Sequence, residues 1–588
     1  MMLTRIVFCC FAGVALSVRA GFPDRGTLGR EDKYRVLVDK VISPTNQWVF
    51  TAEHMKEIRA ADFNVISPRI GGHDVARAKR QAKLAADHEL YYMAWMRGTM
   101  TPKGPDRLVW QDGSEQKLCS PTSDEFWGWT TEIVLGHARS SVEVPTFVGA
   151  FLDYENYAEG KQGDCYPLSY DTKILAEFAK AQGIELPELA PKERYPWLKE
   201  KGLLEALSEF QIGEWRKRCR KLREQVDAIN PLFQFIIYPA PGPLFMTEAC
   251  FAEWGTEKAP LVLADASTYG RPSAFMDESK ALEANRSTLL RRMASVRPRG
   301  VPHHYIGGID PVCKGADAEF SGKNASMLSH LGDGYWIFYE GPEYTKEDHG
   351  LYFEWFGKAN AEIAQGKYEL QHLPRSTPEN LGKTTVDRKT EKPQIGLYSM
   401  KPRMFETLKD TFEAHKVEGM SVEYLKQLNV AVLQNLNIAL PADSNISRSL
   451  RAYVEQGGGL LLGHDTAWFM DSMFPEIATR GYPKQNVESE RHVVKTDLVV
   501  SQAHPSIGAV AAGTRFNTEF RDHMIFKPGP QGTTVISNGF GDPVYVVGEV
   551  GKGRVVFSGC YYGYSKPLSG TEEQVFMSML RWLGRLPE

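Results

Sequence analysis

What this sequence lacks narrows its reading. It has no basic stripe: 69 Lys and Arg are set against 73 Asp and Glu, for a formal net charge of −4. The electrostatic footprint of a nucleic-acid binder is therefore missing. It has no internal repeat, low-complexity tract or long charge run, so neither a solenoid nor a disordered tail is expected. Cysteine is scarce, with eight in 588 residues, and none falls in a CxxC or other zinc spacing. Past the first twenty residues, no stretch approaches the ~18 consecutive apolar residues of a membrane span. No metal, no cofactor and no stable membrane insertion are expected.

What is present suits a large globular protein: 42% hydrophobic, 24% charged and 11% aromatic residues. Aromatic faces are what saccharide clefts are built from. At roughly 100–200 residues per domain, the length suggests two large domains or three small ones. The N-terminus reads as a signal peptide. Arg5 is followed by an apolar stretch over 6–18, and Val18-Arg19-Ala20 places small residues at −3 and −1. Cleavage after Ala20 and export to the periplasm or beyond are expected, leaving 21–588 as the mature chain. Cys9 and Cys10 lie in the apolar run. Of the other six cysteines, Cys119 and Cys165 are one candidate pair, with buried thiols as the alternative.

From about Tyr34 to Gly366, short apolar runs alternate with longer amphipathic ones. Strands are expected at 35–42, 63–68, 90–96, 147–154, 233–238, 261–265, 303–309 and 334–339. Helices are expected at 52–61, 75–87, 124–139, 203–229 and 273–296. Eight strands with helical crossovers predict a TIM (β/α)₈ barrel over 21–366. The Gly-rich turn of a dinucleotide-binding sheet does not follow the first strand. A polar, Pro-bearing stretch at 367–392 reads as a linker or wrapping segment. A second α/β pattern fills 393–588. It has strands at 394–398, 430–433 and 460–463 and helices at 404–414 and 447–456. A β-rich part (544–549, 554–558) follows, and then a closing helix at 572–583.

Within that second region, LRAYVEQGGGLLLGHDTAW (450–468), HPSIGAV (504–510) and VYVVGEVGKGRVVFSGC (544–560) carry a resemblance. Residues 393–587 resemble the class I glutamine amidotransferase-like domains fused to bacterial β-galactosidases, and trehalose-utilisation-type domains. The resemblance implies a flavodoxin-like α/β fold, and a nucleophilic Cys on a sharp turn after a strand. Here those turns carry His464-Asp465 and Asn435-Leu436, and no Cys lies between Cys313 and Cys560. Covalent glutaminase chemistry then has no nucleophile, and a non-catalytic domain is expected, one that packs on the barrel or mediates homo-oligomerisation. His464, Asp465, His504 and His523 form a cryptic alternative site.

Barrel chemistry sits at the C-terminal ends of the strands. Strand four ends GAFLDYENY, and Asp153 and Glu155, two apart, share a face of an extended strand. Strand six ends LVLADASTYG with Asp265. Strand seven reads HHYIGGID, offering His303, His304 and Asp310. Strand eight ends DGYWIFYEG with Glu340. Carboxylates at several strand ends beside Trp and Tyr, together with CSPTSDEFW at 119–127, resemble retaining or inverting glycoside hydrolases on this fold. In those, a strand-four carboxylate is commonly the general acid, although the order here is DYEN rather than NE. No strand-seven glutamate is visible.

Glycosidic cleavage needs one protonated and one ionised carboxyl flanking the bond. Glu155 is expected as the acid, Glu340 as nucleophile or base, and Asp153 as a tuning or orienting partner. Asp265 is the alternate for either catalytic role. Arg69 and Arg97 are candidates for an anionic sugar's sulfate or carboxylate, or for a structural pair with Asp153. Trp95, Tyr157, Tyr269 and Tyr339 are candidate sugar platforms, and His304 and Asp310 candidate polar contacts. The competing expectation is a non-catalytic polysaccharide-binding barrel. A metal-dependent hydrolase using His303 and His304 is disfavoured, because adjacent strand residues face opposite sides.

Overall fold

The computed structural model describes residues 25–38, 50–97, 104–110, 113–154, 168–240, 245–271, 273–311, 315–338, 346–376, 379, 381–436, 441–481 and 497–587. The expected signal peptide lies outside them, as does Cys165. No helix among the described residues is long and apolar enough to cross a membrane.

Eight parallel strands close into a barrel. They are β1 (Tyr34–Leu37), β2 (Val65–Ile66), β3 (Tyr91–Arg97), β4 (Phe147–Asp153), β5 (Gln234–Tyr238), β6 (Leu261–Asp265), β7 (His303–Ile309) and β8 (Gly334–Ile337), paired in chain order with β8 back on β1. Each falls inside or beside its expected run. The barrel helices begin where short polar side chains accept a first-turn N–H: Thr51, Asp74, Ser123, Asp277 and Asp317 cap the helices Ala52–Ala60, Val75–Ala86, Asp124–Glu143, Glu278–Val296 and Ala318–Leu331. The sequence reading missed a hairpin (Arg107–Val109 with Glu115–Cys119) and the helices Thr172–Gln182 and Pro191–Glu200, all inserted between strands. The expected helix over 273–296 begins only at Glu278.

The C-terminal region is a nine-stranded sheet. Its parallel part comprises β9 (Gln394–Tyr398), β10 (Glu413–Lys416), β11 (Val430–Leu433), β12 (Gly459–Gly463) and β17 (Gly553–Ser558), in the order β10-β9-β11-β12-β17. That is the flavodoxin-like order. Antiparallel strands extend it: β16 (Pro543–Val550), β15 (Thr533–Asn538), β13 (Leu498–Val500) and β14 (Arg515–Phe516). The helix expected over 404–414 stops at Leu408, and Glu413–Lys416 becomes the edge strand β10.

A mixed core joins the two regions: Met276, Leu282 and Phe320 of the barrel pack with Tyr398, Met420, Ile446 and Leu450. Asp277 and Asn445 cap each other, each backbone N–H donating to the other's side chain at 3.0 and 2.8 Å. Beside them Lys323, fully buried, donates to Glu278 (2.5 Å) and Glu319 (2.8 Å), and Arg375 from the 367–392 segment reaches Glu278 at 2.6 Å. Buried charges persist only when matched in this way. That segment therefore wraps the barrel by specific contacts rather than hanging free.

Candidate active site

The barrel strands are apolar on both faces, and alternation sorts their residues. Val36, Val65, Met93, Ile236, Val262 and Ile306 fill the lumen, whereas Leu37, Tyr92, Ala94, Phe235, Leu263 and Tyr305 face the helices. Residues 25–32 close the bottom, with Leu28 in the lumen core. The top of the lumen is a layer of rings. Trp95 packs on Phe151 (centroids 4.2 Å) and Phe338 (5.5 Å), while Trp336 meets Phe151 (5.6 Å), Tyr238 (5.0 Å) and Phe338 (5.2 Å).

Polar side chains stand above that layer. In β4 a register shift against β3 at Phe147–Gly149 puts both Val148 and Phe151 in the lumen core, and Asp153 shares the parity of Phe151. Asp153 is fully buried, and Arg97, which ends β3 on the same inner face, approaches its Oδ2 at 3.3 Å while remaining 36% exposed. Burying a carboxylate without such a counter-charge is costly. The Arg69 guanidinium lies 4.5 Å over the Phe338 ring, within cation–π reach. Tyr269, in the loop after β6, donates its hydroxyl to that of Tyr238 (2.8 Å), and its carbonyl accepts the Asp310 N–H (3.0 Å). Gly308 makes room for this: a Cβ there would stand 2.7 Å from the Tyr269 ring. The mouth thus holds Arg69, Arg97, Asp153, Tyr238, Tyr269 and Asp310.

Two of these neighbours escaped the sequence reading. Tyr238 was visible as a tyrosine ending strand five before a proline. His73 follows β2 in a GGHD loop, stacks on Trp129 (5.3 Å, 16°) and hydrogen-bonds the Arg97 backbone. Burial lowers its pKa, which favours a neutral ring. Only its loop position could have flagged it.

Three expectations need correction. Asp265 does not share the mouth. It has the parity of Leu261 and Leu263, so it enters the helix layer, where Oδ2 accepts from Tyr305 (2.5 Å) and Arg292 (3.0 Å) and Oδ1 from the Ser267 N–H (2.7 Å). Such a saturated carboxylate is structural. His304 points into the lumen, but at the opposite end. Its ring meets Tyr34 (5.7 Å) and its Nδ1 lies 3.8 Å from Asp333, about 20 Å along the strand from the mouth. Trp95 is 3% exposed within the ring layer, so it supports the floor and offers no free face. Glu155, Tyr157, Tyr339 and Glu340 lie outside the described residues.

His303 faces outward against Phe251 while His304 faces inward. Among the described residues no three His, Cys, Asp or Glu side chains are grouped to hold a metal ion. A groove of about 600 Å³ lies away from this mouth, over the wrapping segment, between Glu278, Arg286, His330, Gln371 and Arg375.

No family model and no curated protein sequence matches the chain. Among solved structures it is similar to a β-galactosidase from Bacillus circulans sp. alkalophilus, at 11% identity over 94% of this chain and 89% of that one, with a TM-score of 0.39. It is also similar to an exo-β-1,4-mannosidase from an Opitutaceae bacterium (10% identity, 90% and 94% covered, TM-score 0.31). A ThuA-like protein from Bacteroides uniformis covers 33% of this chain and 94% of its own length, at 14% identity and a TM-score of 0.25.

Proposed function

We propose that the protein is an exported glycoside hydrolase acting on a poly- or oligosaccharide at the C-terminal mouth of the barrel. The observation that carries this reading is Asp153: a buried, lumen-facing carboxylate at the end of β4, matched by Arg97 and two residues ahead of Glu155. Residues two apart on an extended strand share a face, and on that sequence spacing Glu155 is proposed to share the face of Asp153. Arg97 supplies the counter-charge of an ionised Asp153. A negative Asp153 disfavours a second charge beside it, which suits Glu155 to carry the proton for the leaving oxygen. Glu340, following β8, is the proposed nucleophile or base. Tyr157 and Tyr269 are the proposed platforms for the sugar's C–H face, with Tyr339 and Asp310 as further proposed contacts. Arg69 and Arg97 border the site where a substrate's anionic group would lie.

The remaining architecture is proposed as follows. The signal peptide is removed after Ala20, 21–366 is the catalytic domain, 367–392 is the connecting segment, and 393–588 is an amidotransferase-like domain without covalent chemistry that packs on the barrel or pairs with a second copy.

The test is hydrolysis of a broad glycan and aryl-glycoside panel by residues 21–588, wild type beside Glu155→Gln. Loss of general-acid catalysis is expected to lower kcat by roughly 10²–10⁴-fold. Unchanged turnover in the variant would move the acid elsewhere, first to Glu340. No turnover on any substrate, with glycan binding retained, would replace the hydrolase with a polysaccharide-binding barrel.

A further inference from the structure

We propose that the C-terminal sheet carries a second small-molecule site, centred on His464 and His523, that takes a neutral saccharide. It is independent of the barrel reading and lies at the carboxyl ends of the parallel strands, where open α/β sheets place their ligands.

The first observation is the backbone. His464 follows β12 directly with φ 46° and ψ −123°, a conformation that suits glycine and costs other residues about 1–3 kcal/mol. It is not alone. Ser399 after β9 (φ 58°) and Asn435 after β11 (φ 62°) also have positive φ. These three non-glycine residues end three strands that are neighbours in the sheet. Tyr561, just past β17, adds the fourth adjacent strand end and hydrogen-bonds Asn435. Unfavourable backbone gathered at one sheet edge is a mark of positions held for function rather than for packing.

The second observation is unmet hydrogen bonding. The His464 ring is 5% exposed, yet neither nitrogen makes a hydrogen bond; Nδ1 comes only to 3.4 Å from Asp465 Oδ2, without hydrogen-bond geometry. His523, fully buried, hydrogen-bonds the Arg521 carbonyl through Nδ1 (3.3 Å) and leaves Nε2 without a partner. A buried polar atom in that state costs about 1–3 kcal/mol, and a purely packing residue would be apolar. Burial, with His464 nearby, pushes the His523 pKa down to about 4, so at neutral pH its ring is uncharged, with Nδ1–H committed to the Arg521 carbonyl and Nε2 left as an acceptor. His504, the fourth residue of the cryptic set, is elsewhere, against Trp582.

The third observation is the wall. Phe520 and Tyr561 meet the His464 ring edge-on at 5.5 and 5.6 Å, and both pack on the partly exposed Tyr564 at 5.0 and 5.4 Å. The partly exposed Tyr564 ring beside two imidazoles and a carboxylate matches a sugar, with C–H groups on one side and hydroxyls on its edge. An anion is disfavoured by Asp465, and the nearby arginines are engaged: Arg480 with Asp471 and Arg521 with Asn517.

The test uses the full mature protein with isotope-labelled histidine rings, titrated with galactose, glucose, mannose and their β-linked disaccharides. Spectra of His464→Gly and His523→Gln assign the two resonances. At least one of these sugars is expected to move both, and His464→Gly is expected to weaken the shift of the His523 resonance at least tenfold. Because glycine accepts the backbone angle, that variant is also expected to melt at a higher temperature than wild type. The proposal is overturned if no sugar moves either resonance, or if His464→Gly leaves the His523 response intact. Loss of barrel activity touches neither readout.

Discussion

Asp153 and Asp265 end barrel strands two apart in the ring, both are buried and both meet an arginine, yet they face opposite ways. Asp153 looks into the lumen, toward Arg97. Asp265 looks into the strand–helix layer and is closed off by Tyr305, Arg292 and a backbone N–H. Ending a strand is therefore not enough to place a carboxylate at a barrel's active site; its parity along the strand decides, because one step turns a side chain from the lumen to the helices.

The contrast can be broken by exchanging each carboxylate for its amide. Asp153→Asn is expected to reduce turnover by about 10²-fold, the lower edge of what a positioned acid–base group contributes. Its stability cost should be smaller than that at Asp265, because it loses an ion pair at 3.3 Å where Asp265 loses contacts with Tyr305, Arg292 and a backbone N–H. Asp265→Asn should do the reverse: unfolding by urea shifts by about 2–3 kcal/mol, as expected for lost hydrogen bonds to a buried charge, while kcat per folded molecule stays at the wild-type value. If Asp265→Asn silences a fully folded enzyme, or Asp153→Asn leaves turnover untouched, the division of roles is wrong.

The barrel was legible because each strand is a short apolar run between amphipathic stretches, and all eight expected runs became strands. The face of Asp265 was not. In LVLAD every preceding residue is apolar and buried on both sides, so the sequence carries no polar alternation to set parity. His304 was a different error. It is the second residue of its strand, and the direction of a parallel strand already places an early residue at the bottom. In the C-terminal sheet, β9 and β11 were read to the residue. The edge strand EAHK (413–416) was hidden because its side chains are polar and its burial is only partial. The sequence leaves Arg97 two readings, an anion contact or a pair with Asp153, and the structure shows the pair. Tyr238 and His73 were missed because their role depends on which loops meet across the mouth.

Glu572 extends the comparison to a carboxylate with no cation paired to it among the described residues, and gives the smallest effect. It lies in the first turn of the helix Gly570–Gly584, where the helix dipole favours a negative charge. Burial prevails. One oxygen accepts the Glu519 N–H at 2.9 Å, the other has no partner, and the pKa is pushed up to about 7 from 4.5, with the Glu519 carboxylate adding to the effect of burial. The sign follows from proton binding: between pH 4.5 and 7 the folded state holds a proton that the unfolded state has released, so the contribution is full below pH 4.5 and falls as pH rises through 7. The whole shift sets a ceiling of about 3 kcal/mol. Glu572→Gln, which stays neutral, is expected to be nearly as stable as wild type at pH 4.5 and more stable by about 1–2 kcal/mol at pH 8, as read from urea midpoints across that range. A difference that does not change with pH would mean that Glu572 is ionised in the folded protein, and that a buried carboxylate here needs no cation to hold its charge.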